Sequence, residues 1–208
     1  MNLNNGIYWH IKLANTPHNE WTVGNTFNWN RRVNKCWQDL YSFPFKLQNN
    51  GFQRSLLEVS NNILLSNGNG LSTQEYTDQL KKLQDLSIHY HYKQFSMIRE
   101  LILEDFRRRN FPYLPSRMNC IWFFTPDLNC ANYWIQQLGA YQKGFQIFEV
   151  RLNGTGHLAS SRHIALDILN IEEHERMASY YWTPNQPEEI NSELIFDGQI
   201  EILRLIRL

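Results

Sequence analysis

Residues 192–206 read SELIFDGQIEILRLI. Glu193–Phe196 and Gln199–Ile206 are rich in branched aliphatic side chains, and the Asp-Gly step between them is a hairpin signal. The stretch predicts two strand segments joined at Asp197-Gly198, with a carboxylate, Glu193, opening the first. Working back, Gln146–Leu152 (QIFEVRL) alternates and reads as a strand, as does Asn119–Phe124 (NCIWFF). Gly6–Leu13 (GIYWHIKL) reads as a first strand, with Tyr8 and His10 on one face and Ile7, Trp9 and Ile11 on the other.

Helical patterns fill the gaps. Ser72-Thr73-Gln74-Glu75 has capping-box spacing, so a helix is expected from there to about Arg109, with β-formers clustered at Ser87–Tyr92. Phe95, Ile98, Leu101, Ile102 and Phe106 form an apolar stripe on it. Arg107, Arg108 and Arg109 occupy its last turn, where positive charge complements the helix dipole, and Pro112 and Pro115 stop it. Further helices are expected over Phe52–Leu65, ending at the Asn67–Gly70 loop, from Thr125-Pro126 to Gly139, and from Asn170 to about Trp182. Thr22–Asn30 reads as a loop and Asn153-Gly154-Thr155 as a turn. With no internal repeat or linker, residues 1–208 read as one α+β domain.

Composition narrows the function classes. The 208 residues carry 20 Lys and Arg against 20 Asp and Glu, yet residues 1–118 hold 14 basic and 9 acidic groups and residues 119–208 hold 6 and 11. A basic half and an acidic half point to two working surfaces and away from a polybasic binder. Cys36, Cys120 and Cys130 lack CxxC spacing, which argues against a disulfide framework or structural zinc. His89, His91, His157, His163 and His174 form no metal-ligand motif, so no metal is expected. The opening MNLNNGIYWHIK lacks a signal-peptide pattern and no apolar run reaches membrane-span length, so a cytoplasmic protein with no membrane partner is expected. Phosphate-loop, dinucleotide-fingerprint and serine-nucleophile motifs are absent.

Polar groups at strand edges remain as candidates: Tyr8 and His10 on the first strand, Ser116-Arg117 before NCIWFF, and Asn191 and Glu193 at the head of SELIF. A carboxylate at the start of a core strand is rigidly fixed, which suits chemistry, although a strand-end Glu facing solvent shows the same pattern. Arg117 reads equally well as an ion-pair partner of Glu100 or Glu104, Tyr181 and Trp182 as core, and Arg107–Arg109 as a solvated helix end.

The Tyr8-x-His10 strand and the late Ser192-Glu193-Leu194 block resemble the ADP-ribosyltransferase superfamily, nearest to its DarT-like and CmdT-like toxin and phage-defence branches. Glu104–Arg107, Pro115-Ser116-Arg117, Tyr181-Trp182 and Glu193–Gly198 are similar to motifs of a related uncharacterised bacterial domain family. The likeness spans residues 93–208 and the first strand, leaving about 31–92 as a helical insertion or a substrate or partner lobe. It implies a split mixed or antiparallel sheet with flanking helices, and transfer of ADP-ribose from NAD, as substrate, to nucleic acid (RNA or single-stranded DNA). It implies an antitoxin protein as partner. Glu193 would be catalytic together with Arg117 and His10. Tyr8, His10, Ser116, Arg117 and Tyr181 would bind NAD, with Arg117 on the pyrophosphate and Tyr8 or Tyr181 stacked on nicotinamide. Asn191, Arg107, Arg108 and Arg109 would meet the acceptor. Asn191 stands where the arginine-modifying branch carries Gln or Glu, which turns expectation toward a nucleobase acceptor. Trp122 stands where the histidine branch has a second-strand Tyr. A non-catalytic binding module on the same fold and an NAD-independent ribonuclease toxin are the competing expectations.

Overall fold

The computed structural model describes residues 1–14, 20–29, 33–42, 47–49, 52–66, 72–164, 170–183 and 190–207. They fall into two compact units, Met1–Lys35 with Arg99–Leu208, and Cys36–Ile98.

The first unit is α+β. Its strands are β1 (Asn2–Leu13) and β2 (Thr26–Trp29), and later β5, β6 and β7; the second unit contributes β3 and β4 between them. β5 is Ile121–Phe123, β6 is Phe145–Ser160 and β7 is Ser192–Ile206. β6 and β7 pair antiparallel along almost their whole length, from Ile147↔Ile206 to Ser160↔Ser192. β1 adds to the free edge of β6, while β2 and β5 add to the other edge of β7. The sheet then closes on itself: Trp9 N–H donates to Phe124 O at 2.9 Å, and Phe124 N–H to Trp9 O at 3.0 Å. Closure removes a length of open strand edge and gives the sheet an inner and an outer face.

Alternation decides what each face holds. The inner face collects Phe123, Phe148, Val150, Leu152, Leu194, Phe196 and Ile200, covered by Trp21 and Trp29. The outer face is split. At one end, Trp9, Ile11 and Phe124 pack against Ala131 and Ile135 of α4 (Leu128–Gln137) and Ala140 of the short α5 (Ala140–Lys143). At the other, Ala159 and Ile195 lie under Leu103 and under Ala178, Tyr181 and Trp182 of α6 (Ile171–Trp182).

The second unit holds α1 (Lys35–Tyr41), the hairpin β3 (Leu47–Asn49) and β4 (Phe52–Arg54), α2 (Leu56–Ser66) and most of α3 (Thr73–Asn110), whose residues from Arg99 onward belong to the first unit. α3 opens with the expected capping box, Ser72 N–H to Glu75 Oε2 at 3.0 Å and Glu75 N–H to Ser72 Oγ at 3.3 Å, and it is continuous through Ser87–Tyr92.

Several sequence expectations are corrected. Phe52–Arg54 is strand, and the helix expected from Phe52 begins only at Leu56, behind a Ser55–Glu58 capping box. Thr26–Trp29, read as loop, is a strand, because Trp29 and Phe27 reach the inner core. The helix expected at Thr125-Pro126 starts two residues later, where Asp127 accepts from the N–H groups of Asn129 and Cys130. Neither Asn153-Gly154-Thr155 nor Asp197-Gly198 is a turn; both lie within β6 and β7. Gly154 and Gly198 face each other in register, and a Cβ on either would stand 2.5 Å from a carbonyl oxygen of the opposite strand. Here glycine serves close backbone approach, and the same residue type that signals a turn misleads a reading by sequence. On α3 the expected apolar stripe divides: Ile102 and Phe106 pack against the core beside Leu103, whereas Phe95, Ile98 and Leu101 are exposed and Glu100, Glu104 and Arg107 are buried. The Asn67–Gly70 loop lies outside the described residues.

Candidate functional site

The buried face of α3 builds the site. Glu100, Leu103, Glu104 and Arg107 recur at three- and four-residue spacing, so one face of the helix presents two carboxylates and a guanidinium to the outer face of the sheet. Buried charges persist only when paired and hydrogen-bonded, and these are.

Arg107 is clamped on Glu104 through Nε (3.1 Å) and Nη2 (2.8 Å), and its Nη1 donates to Pro112 O and Leu114 O. Ser116 Oγ donates to Glu104 Oε2 at 3.0 Å. This pair fixes the Pro112–Ser116 segment against the helix and so delivers the next residue, Arg117. Arg117 grips Glu100 through Nε (2.8 Å) and Nη2 (3.1 Å), a bidentate geometry that suits a planar guanidinium. Its Nη1 donates both to Tyr181 Oη and to Glu193 Oε1. Tyr181 Oη donates to the same Oε1 at 2.6 Å. Glu100 is also held by Arg99 Nη2 at 2.8 Å. The guanidinium carbon of Arg117 lies 4.9 Å from the Tyr181 ring centre and 6.0 Å from that of Trp122, so aromatic faces close the cation in.

Glu193 is 5% exposed, at the head of β7. Both donors converge on Oε1, and among the described residues Oε2 makes no hydrogen bond. One oxygen is pinned and the other is left as an acceptor.

Electrostatics follow from burial and partners. Burial opposes ionisation of Glu100, but Arg117 and Arg99 outweigh it and hold the carboxyl below its ordinary range. Burial likewise opposes the charge on Arg117, and Glu100 and Glu193 more than restore it. Burial pushes the Tyr181 phenol well up, so it stays a neutral donor. Cys120, beneath the cluster with its thiol on Arg117 O, is pushed well up by burial and is no nucleophile. His157 donates from Nε2 to Tyr181 O at 2.7 Å and stacks on Trp182, and burial lowers its pKa to about 4.

Of the residues singled out by sequence, Ser116, Arg117, Tyr181 and Glu193 come together here, and Arg107 supports them. The pairing of Arg117 with Glu100 is the one that sequence offered as the alternative to a pyrophosphate contact, and it leaves the guanidinium between two carboxylates. Tyr181 is fully buried, so its hydroxyl rather than its ring face reaches the cluster. Asn191 is adjacent, its Oδ1 accepting from Ser160 Oγ at 3.2 Å. Tyr8 and His10 lie on the inner face of the sheet, opposite to Glu193. There His10 stacks on Trp21 with ring centres 4.1 Å apart, and its Nδ1 is 2.7 Å from Trp122 O. Arg108 and Arg109 are exposed and tied to Glu104 and Asp105. Glu100 was missed as a site residue, although it stands one turn before Glu104; charge at core spacing was the available signal.

Beside the cluster, a cleft of about 430 Å³ is bounded by the end of α3, the Pro112–Cys120 segment, and Thr155 and Asp197 of the sheet. Among the described residues no group of His, Cys, Asp and Glu is placed to hold a metal, and no helix is long and apolar enough to cross a membrane.

The fold and the cluster define an α+β protein with a closed antiparallel sheet and a buried carboxylate–guanidinium–phenol site at the head of its central strand. The chain belongs to the family described as protein of unknown function (DUF2441), whose model matches residues 8–207. No curated protein matches it.

Proposed function

We propose that this protein is an NAD-dependent ADP-ribosyltransferase acting on nucleic acid, with Glu193 as its catalytic carboxylate. The observation that carries the reading is the divided role of that carboxylate: Oε1 is held by Arg117 and Tyr181 while Oε2 has no hydrogen-bond partner among the described residues. In the transfer, the bond between nicotinamide nitrogen and ribose C1′ breaks, and its electron pair leaves with nicotinamide. The ribose passes through an oxocarbenium-like state, which a fixed anion in a low-dielectric site stabilises. A bond then forms from C1′ to the acceptor atom, whose proton goes to Glu193 Oε2 and on to solvent. Arg117 and Tyr181 orient the carboxylate, and Glu100 holds Arg117. The resemblance of Pro115–Arg117, Tyr181-Trp182 and Glu193–Gly198 to this superfamily supports the same reading. The proposal gives no chemical step to His10 or Tyr8, and the separation of His10 from Glu193 speaks against a ribonuclease built on that pair. A toxin or antiphage setting in the cytoplasm, with an antitoxin protein as partner, belongs to the proposal.

The test is label transfer from adenylate-labelled NAD into a cell lysate, wild type beside Glu193→Gln. Label that enters nuclease-sensitive material with wild type alone is the expected result. A folded Glu193→Gln protein with full activity, or a folded wild type that neither transfers label nor consumes NAD, overturns the proposal.

A further inference from the structure

The cleft beside the cluster has a lining that the ion pairs leave partly unspent. Glu104 and Arg107 satisfy each other, but Arg108, with a side chain 64% exposed, uses Nε on Glu104 and, among the described residues, leaves Nη1 without a bond. Tyr113, 68% exposed, has a hydroxyl without a hydrogen bond among the described residues, and its ring meets Phe111 edge-on. The Asn119 carboxamide and the Thr155 hydroxyl, both half-buried, make no hydrogen bond among the described residues. So the walls combine a guanidinium, an exposed aromatic ring, and a paired donor and acceptor.

From this we infer that the cleft binds one nucleotide of a single-stranded nucleic acid, and that the base carries an exocyclic amino group. Each wall supplies one part of that recognition. The Tyr113 ring offers a stacking surface, which every base accepts. Arg108 Nη1 meets the phosphate, a role that suits a guanidinium at the solvent edge. Asn119 presents a carboxamide that matches the donor and acceptor pair on the edge of adenine or cytosine. The volume, about 430 Å³, admits a single nucleotide rather than a duplex. As the place of the acceptor strand, this inference rests on the transferase reading; as a binding site it stands alone.

The experiment is fluorescence anisotropy with labelled ten-nucleotide rA, rU and dA strands, without NAD, at low and near-physiological salt. Wild type is expected to bind rA at least fivefold more tightly than rU, and to lose affinity as salt rises. Tyr113→Ala and Arg108→Ala, both at exposed positions and so harmless to the fold, are each expected to weaken rA binding about tenfold. Arg108→Ala also lessens the salt dependence. Asn119→Leu is expected to abolish the preference for rA over rU while binding persists. Equal binding of rA and dA means the sugar is not read, and a preference for either names the natural strand; both outcomes support the site. Wild type that binds no strand, or variants that all bind like wild type, overturn it. Because NAD is absent, a failure here is distinct from a failure of label transfer.

Discussion

Acidification should weaken this fold through a residue that does no chemistry. His157 sits on β6, 3% exposed, with its ring 5.0 Å from that of Trp182 and its Nε2–H on Tyr181 O. Burial disfavours the imidazolium and lowers the pKa from 6.5 to about 4. In the unfolded chain the same group titrates near 6.5. As pH falls, the unfolded state therefore takes up the proton first, and stability drains away between about pH 6.5 and pH 4. From these two pKa values the loss is about 2 kcal/mol at pH 5 and about 3 kcal/mol at pH 4, relative to pH 7.5. Glu100, held below its ordinary range, adds a further loss only at lower pH. His157→Gln keeps an N–H donor for the Tyr181 carbonyl and removes the titration. Urea unfolding at pH 7.5 and pH 5 should then show wild type losing about 2 kcal/mol more than the variant on acidification. Equal losses in the two proteins would refute the account of a neutral, desolvated His157.

The ion-pair cluster makes further demands. Arg117→Met leaves Glu100 and Glu193 buried around an apolar side chain and should cost about 3–5 kcal/mol in urea unfolding; a cost below about 1 kcal/mol would mean that the carboxylates find water. Tyr181→Phe removes one donor to Glu193 Oε1 without opening a cavity. It should cost about 1–2 kcal/mol, and under the proposed function it should reduce label transfer while the protein stays folded. Gly198→Ala places a Cβ 2.5 Å from Asn153 O, so β6 and β7 must part. A melting temperature within a degree or two of wild type would show that the strands shift without difficulty.

Much of the sheet is legible before folding, since QIFEVRL alternates with a period of two and SELIF ends in a continuous run of strand-forming apolar residues. The Ser72–Glu75 box and the Gly139 stop are legible for the same reason: cap chemistry is local. What misleads is any residue whose role depends on a partner far along the chain. Gly154 and Gly198 look like turns because their close contact is with each other, 44 residues apart. The charged face of α3 looks solvated because the residues that neutralise it, Arg117 above all, come later. Arg117, Tyr181 and Glu193 are all legible as polar candidates, but their union in one hydrogen-bonded set depends on where α6 and β7 lie.

Every strand of the large sheet waits for the same two partners. β1 pairs with β6, β2 and β5 pair with β7, and the two long strands pair with each other. A ribosome delivers β1, β2 and β5 before residues 145–206, so until then a nascent chain carries those strands with neither long partner to add to. Glu193 follows all of them but the strand it opens. Assembly of the carboxylate cluster is therefore coupled to synthesis of β7, and a chain truncated before residue 190 keeps only the β1–β6 pairing of the sheet and has no site. Under the proposed function, that timing would leave a window in which a partner captures the chain before its site exists.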